Sequence, residues 1–414
     1  MDASRRSFFR NLAGALPASW LAMQSKLAAA TAGTEDYWRV VKKQFPLSEG
    51  LIYLNAANVC PASRPVLDRH QEFMRDFQMD PSFQNRLKYD KHQESLRAKL
   101  AKHLGGVDVD EIAITRNTSE GANIVVNGID LKAGDEIAIT THNHPSSNDS
   151  WKVRARRDKL VIKEAPVPIP PRSKQELLDS VAAQITPKTR VLIVTHLTST
   201  TGNRYPIKEI GELARKHNLW FHLDGAQTFG AFDIKLRDYG CDSFAGSAHK
   251  WFMGPLEAGV LWVRKERHAE LWPSIVTAGW ADNLKGARKF EVYGQRDNPR
   301  IVAFEAAVDF IDMIGMPAVE ARLQQLSTRL KEQLVSVPGV KMKTPMDWKL
   351  SGGVVKFQVA GKNTTELYNA LYANHRVALA QTPSGESEGL RFSPHIYNSM
   401  EEMDQAARII RGMA

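Results

Sequence analysis

Two polar residues in one stretch of the chain carry the most chemistry. In His222-Leu223-Asp224-Gly225-Ala226-Gln227 an aspartate closes an apolar run, and further on Ser247-Ala248-His249-Lys250-Trp251 sets a lysine between an imidazole and an indole. Alone, an aspartate at a strand end is commonly a helix cap, and a lysine is commonly a solvated surface residue. Together they meet one requirement. Pyridoxal phosphate (PLP) needs a lysine for a Schiff base and a carboxylate facing its pyridinium nitrogen, so that the ring stays protonated and works as an electron sink. A lysine confined among small and aromatic residues loses basicity and becomes nucleophilic.

Other segments offer groups that suit the same chemistry. Thr115-Arg116-Asn117-Thr118-Ser119-Glu120-Gly121 opens a helix after a strand. Free backbone N–H groups and hydroxyls there form a natural phosphate cradle, and the same residues can cap the helix. Thr141-His142-Asn143-His144 follows another strand. Its two histidines at i, i+2 lack an evident third ligand, so no metal site is expected. Leu390-Arg391-Phe392-Ser393 places an arginine late in the chain, where a bidentate guanidinium suits a carboxylate.

These residues must be positioned by a scaffold. Short apolar runs at 111–115, 135–140, 159–165, 190–196, 219–224 and 259–264 alternate with amphipathic segments such as 207–218. That alternation predicts βαβ units and an α/β fold with a mainly parallel sheet, whose strands end at the ligand site. After residue 298 the pattern becomes a smaller α+β unit. It has a helix over 317–336 with Leu323, Leu326, Leu330 and Leu334 on one face, a strand over 352–361, a helix over 364–375 and a last helix from Ser399. The expected organisation is a leader over 1–32, a large cofactor-binding domain over 60–297 and a small domain over 298–414, with 33–59 packed on it.

Composition narrows the function classes. The 414 residues are 43% hydrophobic and 24% charged, as in a globular chain with a sizeable core. Two distant cysteines, Cys60 and Cys241, exclude a disulfide scaffold. The net charge of +9 is spread along the chain without a basic block, which argues against nucleic-acid binding. No apolar run reaches the roughly 18 residues of a membrane span, so no stable membrane anchor is expected. The first residues, with Ser4-Arg5-Arg6-Ser7-Phe8-Phe9-Arg10, an apolar stretch from Leu12 to Met23 and small residues at Ala30-Thr31-Ala32, have the layout of an export signal. The arginine pair resembles the twin-arginine consensus. It implies a protein exported folded by the twin-arginine machinery, periplasmic or secreted.

The D-G-A-Q and S-x-H-K motifs resemble those of the class V aminotransferase superfamily of fold-type I PLP enzymes, over about residues 50–412. The resemblance implies that Lys250 forms the Schiff base, Asp224 faces the pyridinium and Gln227 bonds the phenolic oxygen. It makes Thr118, Ser119, Ser247 and His249 phosphate and cofactor contacts. It places His144, with His142 second, as the ring stacked on the cofactor. In Phe290–Asp297, Gln295 or Arg296 would reach the phosphate of a neighbouring subunit, so the expected assembly is a homodimer with shared sites. Arg391 would grip the substrate carboxylate. Two departures stand out. Cysteine desulfurases need a cysteine on the loop before this arginine, and residues 376–393 hold none. The family often has Asn where this chain has Ser199.

The G-x-R-D form of Gly294–Asp297 is closer to the epimerase-like branch. The expectation is therefore a PLP enzyme acting at Cα of an amino acid, a small-molecule substrate, by transamination or epimerisation. β-Elimination is the alternative within the fold. An exported binding protein that kept the fold without catalysis is the alternative outside it, against which the retention of Lys250 and Asp224 argues.

Overall fold

The computed structural model describes residues 31–278 and 285–414, together with Trp20, Met23, Ser25 and Leu27. The described chain opens with α1 (Glu35–Lys42) and the two-residue β1 (Ile52–Tyr53), followed by two long helices, α2 (Arg64–Met79) and α3 (Phe83–His103). Alternating elements follow: β2 (Ile112–Thr115), α4 (Thr118–Gly128), β3 (Glu136–Thr140), α5 (Pro145–Asp158), β4 (Val161–Ala165) and α6 (Lys174–Ala182). After them come β5 (Thr189–Thr195), α7 (Ile207–Lys216), β6 (Trp220–Asp224), the short α8 (Leu236–Tyr239), β7 (Ser243–Ser247) and β8 (Gly259–Val263). The second part holds α9 (Asn298–Ile314), α10 (Met316–Val335), β9 (Val340–Met342), β10 (Val355–Val359) and α11 (Thr364–His375). It ends with β11 (Val377–Ala378), β12 (Ala380–Thr382), β13 (Gly389–Phe392) and α12 (Met400–Met413).

The central sheet runs β2-β8-β7-β6-β5-β3-β4. Its pairs are parallel except at β8, which is antiparallel to both β2 and β7. The α/β reading with a mainly parallel sheet is therefore what the chain forms. One strand escaped the sequence pattern. β7 reads Ser-Phe-Ala-Gly-Ser, too small and polar to signal a strand, yet every residue in it is buried between β6 and β8. Small residues here serve close packing. A Cβ on Gly259 would lie 2.8 Å from Asn117 Cα, so the missing side chain lets the start of α4 settle against β8.

The second sheet, β12-β13-β10-β9, is antiparallel. Its apolar face, with Val355, Phe357, Leu390 and Phe392, packs with Leu326, Leu330 and Leu334 of α10 and with apolar residues of α11 and α12. The leucine face expected on α10 is fully buried. β1 pairs in parallel with β11, and Ile52 and Leu54 join this second core. α9 goes the other way. Its apolar residues belong to the core of the large sheet, and it packs on α2 and α3, so the helix at the expected boundary of 298 lies with the large layer. Most of the expected leader lies outside the described residues. Of its residues, Trp20, Met23 and Leu27 are helical and buried in the main core.

Candidate active site

The site forms where β5 and β6 end side by side. Their register pairs Thr195 with Asp224. The Asp224 carboxylate is 2% exposed. It accepts a hydrogen bond from the backbone N–H of Ala226 (2.9 Å) and one from the Thr195 hydroxyl (3.3 Å). A buried carboxylate needs such donors or a cation. Gln227 follows on the turn. Its Oε1 accepts from Trp251 Nε1 (2.7 Å) and its Nε2 donates to the carbonyl of Ala57 (2.9 Å), leaving one N–H. Trp251 is held in turn by His395, whose Nε2 donates to the Trp251 carbonyl (2.9 Å).

Lys250 lies on the turn after β7. Burial and the Arg391 cation push its pKa down, and the Asp224 carboxylate partly offsets them. His144 is lowered by burial and by Lys250, with Asp224 acting in the opposite sense and Arg391 in the same sense. These influences link Lys250, Asp224, Arg391 and His144 electrostatically. Burial also lowers His249 to about 4, and its Nδ1 is buried with no partner among the described residues. The two candidate rings differ in their partners. His142 is buried and bonds Thr201 Oγ1 through Nδ1 (3.1 Å), whereas His144 caps α5 and accepts from the Ser146 N–H.

Two helix starts converge on the same region. Asn117 caps α4 by accepting from the Glu120 N–H (2.9 Å). Thr118 bonds Ser247 Oγ through its backbone N–H (2.8 Å) and its hydroxyl (2.7 Å), which ties α4 to the end of β7. Ser119 Oγ reaches Ser146 Oγ (3.3 Å), at the start of α5. Paired helix N-termini lined with hydroxyls favour an anion.

Arg391 lies on β13. Nη1 donates to the Ser199 carbonyl (2.9 Å) and Nη2 to Asn55 Oδ1 (3.1 Å), while Nε is buried with no partner. Burial lowers this guanidinium to about 10. Among the described residues no carboxylate forms an ion pair with it. At Ser199, the position that departs from the family pattern, it is the backbone carbonyl that is used.

Gln295 and Arg296 are not brought to this space within one chain. Gln295 Oε1 accepts from Arg86 (3.1 Å), and Arg296 donates to the Ile114 carbonyl (3.3 Å) and lies over the Tyr293 ring. Both line a separate cavity of about 280 Å³ with Arg116 and Glu257. The segment is anchored by Glu291, whose carboxylate pairs with the buried Arg97 (2.5 Å). Sequence reasoning missed Asn55, Ala57, Thr195 and Trp251 as neighbours of the site. Only Trp251, beside Lys250, carried a local signal.

The residues fit PLP. A carboxylate stands at a strand end, a lysine of lowered basicity is beside it, an unpartnered imidazole nitrogen is buried next to that lysine, and an anion-favouring pair of helix starts lies across the space. Fold and site together define a fold-type I PLP-dependent enzyme fold with pyridoxal phosphate as its cofactor. The chain belongs to the aminotransferase class-V family, whose model matches residues 52–406. It is 28% identical over 389 residues to isopenicillin N epimerase of Streptomyces clavuligerus, covering 89% of this chain and 96% of the relative. It is 27% identical over 393 residues to a probable cysteine desulfurase of Halobacterium salinarum, covering 88% and 92%. A solved structure of C-DES with glycine covalently linked to its PLP cofactor superposes with a TM-score of 0.81 at 24% identity, covering 89% of this chain and 98% of that one.

Proposed function

We propose that this protein acts at Cα of an amino acid, as an aminotransferase or epimerase. The observation that carries this reading is Arg391, a cation without an internal carboxylate, set across from a lysine of lowered basicity. Bound PLP supplies an electron sink that acidifies the Cα–H bond. Arg391 holds the substrate carboxylate and fixes which bond at Cα faces Lys250. Lys250 Nζ takes the Cα proton and returns it, a role that its lowered pKa suits. Asp224 would face the ring nitrogen, and Thr195 and the Ala226 N–H hold that carboxylate in place. His144 would stack on the ring, and the starts of α4 and α5 would hold the phosphate.

Desulfurase chemistry is not part of this proposal, although desulfurases are among the relatives. The loop between β12 and β13 has no cysteine. Cys60 and Cys241 are both buried, and burial pushes the Cys241 thiol up to about 12. β-Elimination would use the same residues and is the second reading. The proposed assembly is a homodimer in which Gln295 or Arg296 reaches the partner's phosphate. The proposed location is outside the cytoplasm, by twin-arginine export. Retention in the cytoplasm when Arg5 and Arg6 are both changed to Lys supports that export, and unchanged export refutes it.

The deciding experiment offers single L- and D-amino acids to the cofactor-loaded protein and identifies the products. A 2-oxo acid or an inverted amino acid supports the proposal. An eliminated side chain supports the second reading. No turnover of any amino acid, or full turnover by Lys250→Ala, refutes both.

A further inference from the structure

We propose that Asn55 is a second substrate-binding residue, its side-chain amide N–H groups gripping the same carboxylate as Arg391. This rests on the reading of Arg391 given above. A guanidinium carries only donors, so the Asn55 atom that meets Nη2 at 3.1 Å must be the amide oxygen. The bond therefore fixes the orientation of the amide and turns its NH₂ group outward beside the guanidinium. That NH₂ group bonds nothing among the described residues and is open to solvent, as Asn55 is only half-buried.

The backbone holds Asn55 firmly where this is useful. Asn55 forms a parallel bridge with Ser393, two residues beyond Arg391 on the same chain segment. Ala56 N–H donates to the Ser393 carbonyl (3.0 Å), and Ser393 N–H donates to the Leu54 carbonyl (2.7 Å). Two residues further, Ala57 accepts from Gln227. Asn55 thus stands between the arginine and the glutamine next to Asp224. A carboxylate meeting the spare N–H of Nη2 would lie against the Asn55 NH₂. Two donors from neighbouring segments would then converge on one anion.

The test uses glycine and methylamine, which differ by the carboxylate alone and avoid the unknown side chain. Each is titrated into the cofactor-loaded protein, and the apparent dissociation constant is read from the cofactor's absorbance. Folding is followed by circular dichroism. Asn55→Ala is expected to weaken glycine about tenfold or more, by loss of a donor to a charged group, and to leave methylamine unchanged. Asn55→Asp keeps the acceptor for Arg391 but replaces the donor with a negative charge, so it is expected to weaken glycine further than Asn55→Ala. If Asn55 only orients Arg391, adding Asn55→Ala to Arg391→Ala weakens glycine no further than Arg391→Ala does, and the proposal fails. It also fails if Asn55→Ala changes neither probe or weakens both equally. Should Asn55→Ala not fold, the near-isosteric Asn55→Leu, which also lacks the donor and adds no charge, takes its place in both backgrounds. Arg391→Ala separates the two readings. If it abolishes the preference for glycine while the Asn55 variants keep it, only the role of Asn55 falls. If the unaltered protein shows no preference for glycine, or Arg391→Ala leaves that preference undiminished, the carboxylate role of Arg391 falls and that of Asn55 with it.

Discussion

Trp251 donates its indole N–H to Gln227 Oε1 at 2.7 Å, and this bond decides which way the Gln227 amide faces. Its oxygen is occupied by the indole and one amide hydrogen by the Ala57 carbonyl, so a single N–H is free. Trp251→Phe leaves that oxygen buried without a donor, which costs about 1–3 kcal/mol. The expected outcome is a lower denaturation midpoint and weaker retention of PLP, measured by denaturant titration and by cofactor release on dialysis. Unchanged values for both would show that the indole N–H has no such role.

Arg391→Ala should lower kcat/KM for a carboxylate-bearing substrate by roughly thirty- to several-thousand-fold, the loss of about 2–5 kcal/mol for an unpaired charge in a desolvated site. Arg391→Lys should recover little, because a point charge does not reproduce the planar fork. Equal impairment of an amine without a carboxylate, measured side by side, would make the arginine structural.

Lys356 lies in register with Arg391 on the neighbouring strand, is fully buried, and donates to Thr382 Oγ1 (2.8 Å) and the Gly389 carbonyl (2.7 Å). Burial lowers its pKa to about 7, with Arg391 and Lys343 adding to the shift and Glu388 opposing it. In the unfolded chain a lysine keeps its proton up to about pH 10.4. Between these values the unfolded state binds more protons, so stability rises with pH by at most about 1.4 kcal/mol per pH unit from this residue. Lys356→Met should lack this rise. Unfolding free energies at pH 7 and pH 9 check it, and equal slopes for the two proteins would refute it.

The proposed reach of Gln295 or Arg296 into a partner's site predicts complementation between chains. Lys250→Ala and Arg296→Ala chains, each inactive alone, should regain part of the activity when mixed, since a hybrid dimer would contain one whole site. Proven hybrids without recovery would mean that Arg296 serves its own subunit.

Much of the scaffold was legible in the sequence. β-Branched runs spaced by amphipathic segments dictate an α/β fold, because strand and helix periods are local properties of a short window. The stretch from Asp224 to Lys250 was legible for a similar reason: its residue types are matched to one chemistry and lie on consecutive elements. β7 was not, since its burial comes from neighbouring strands and its own residues carry weak strand preference. The change of pattern near 298 was legible as a change of pattern, and only packing showed that α9 sides with the large sheet.

What the tertiary structure alone decided is the far wall of the site. Asn55 meets Arg391 across 336 residues of chain, and Gln227 meets Ala57 across 170. Neither pairing leaves a trace in local spacing, because each depends on β1 docking beside β11 and on a bridge from Asn55 to Ser393. The surroundings of His142 and His144 were likewise set only by the fold. The two differ by only two positions in sequence, yet one turns inward to Thr201 and the other caps a helix at the rim of the space. Residue type and local period belong to the sequence, whereas the partner of a hydrogen bond and the side of a wall that a ring faces exist only once the chain is folded.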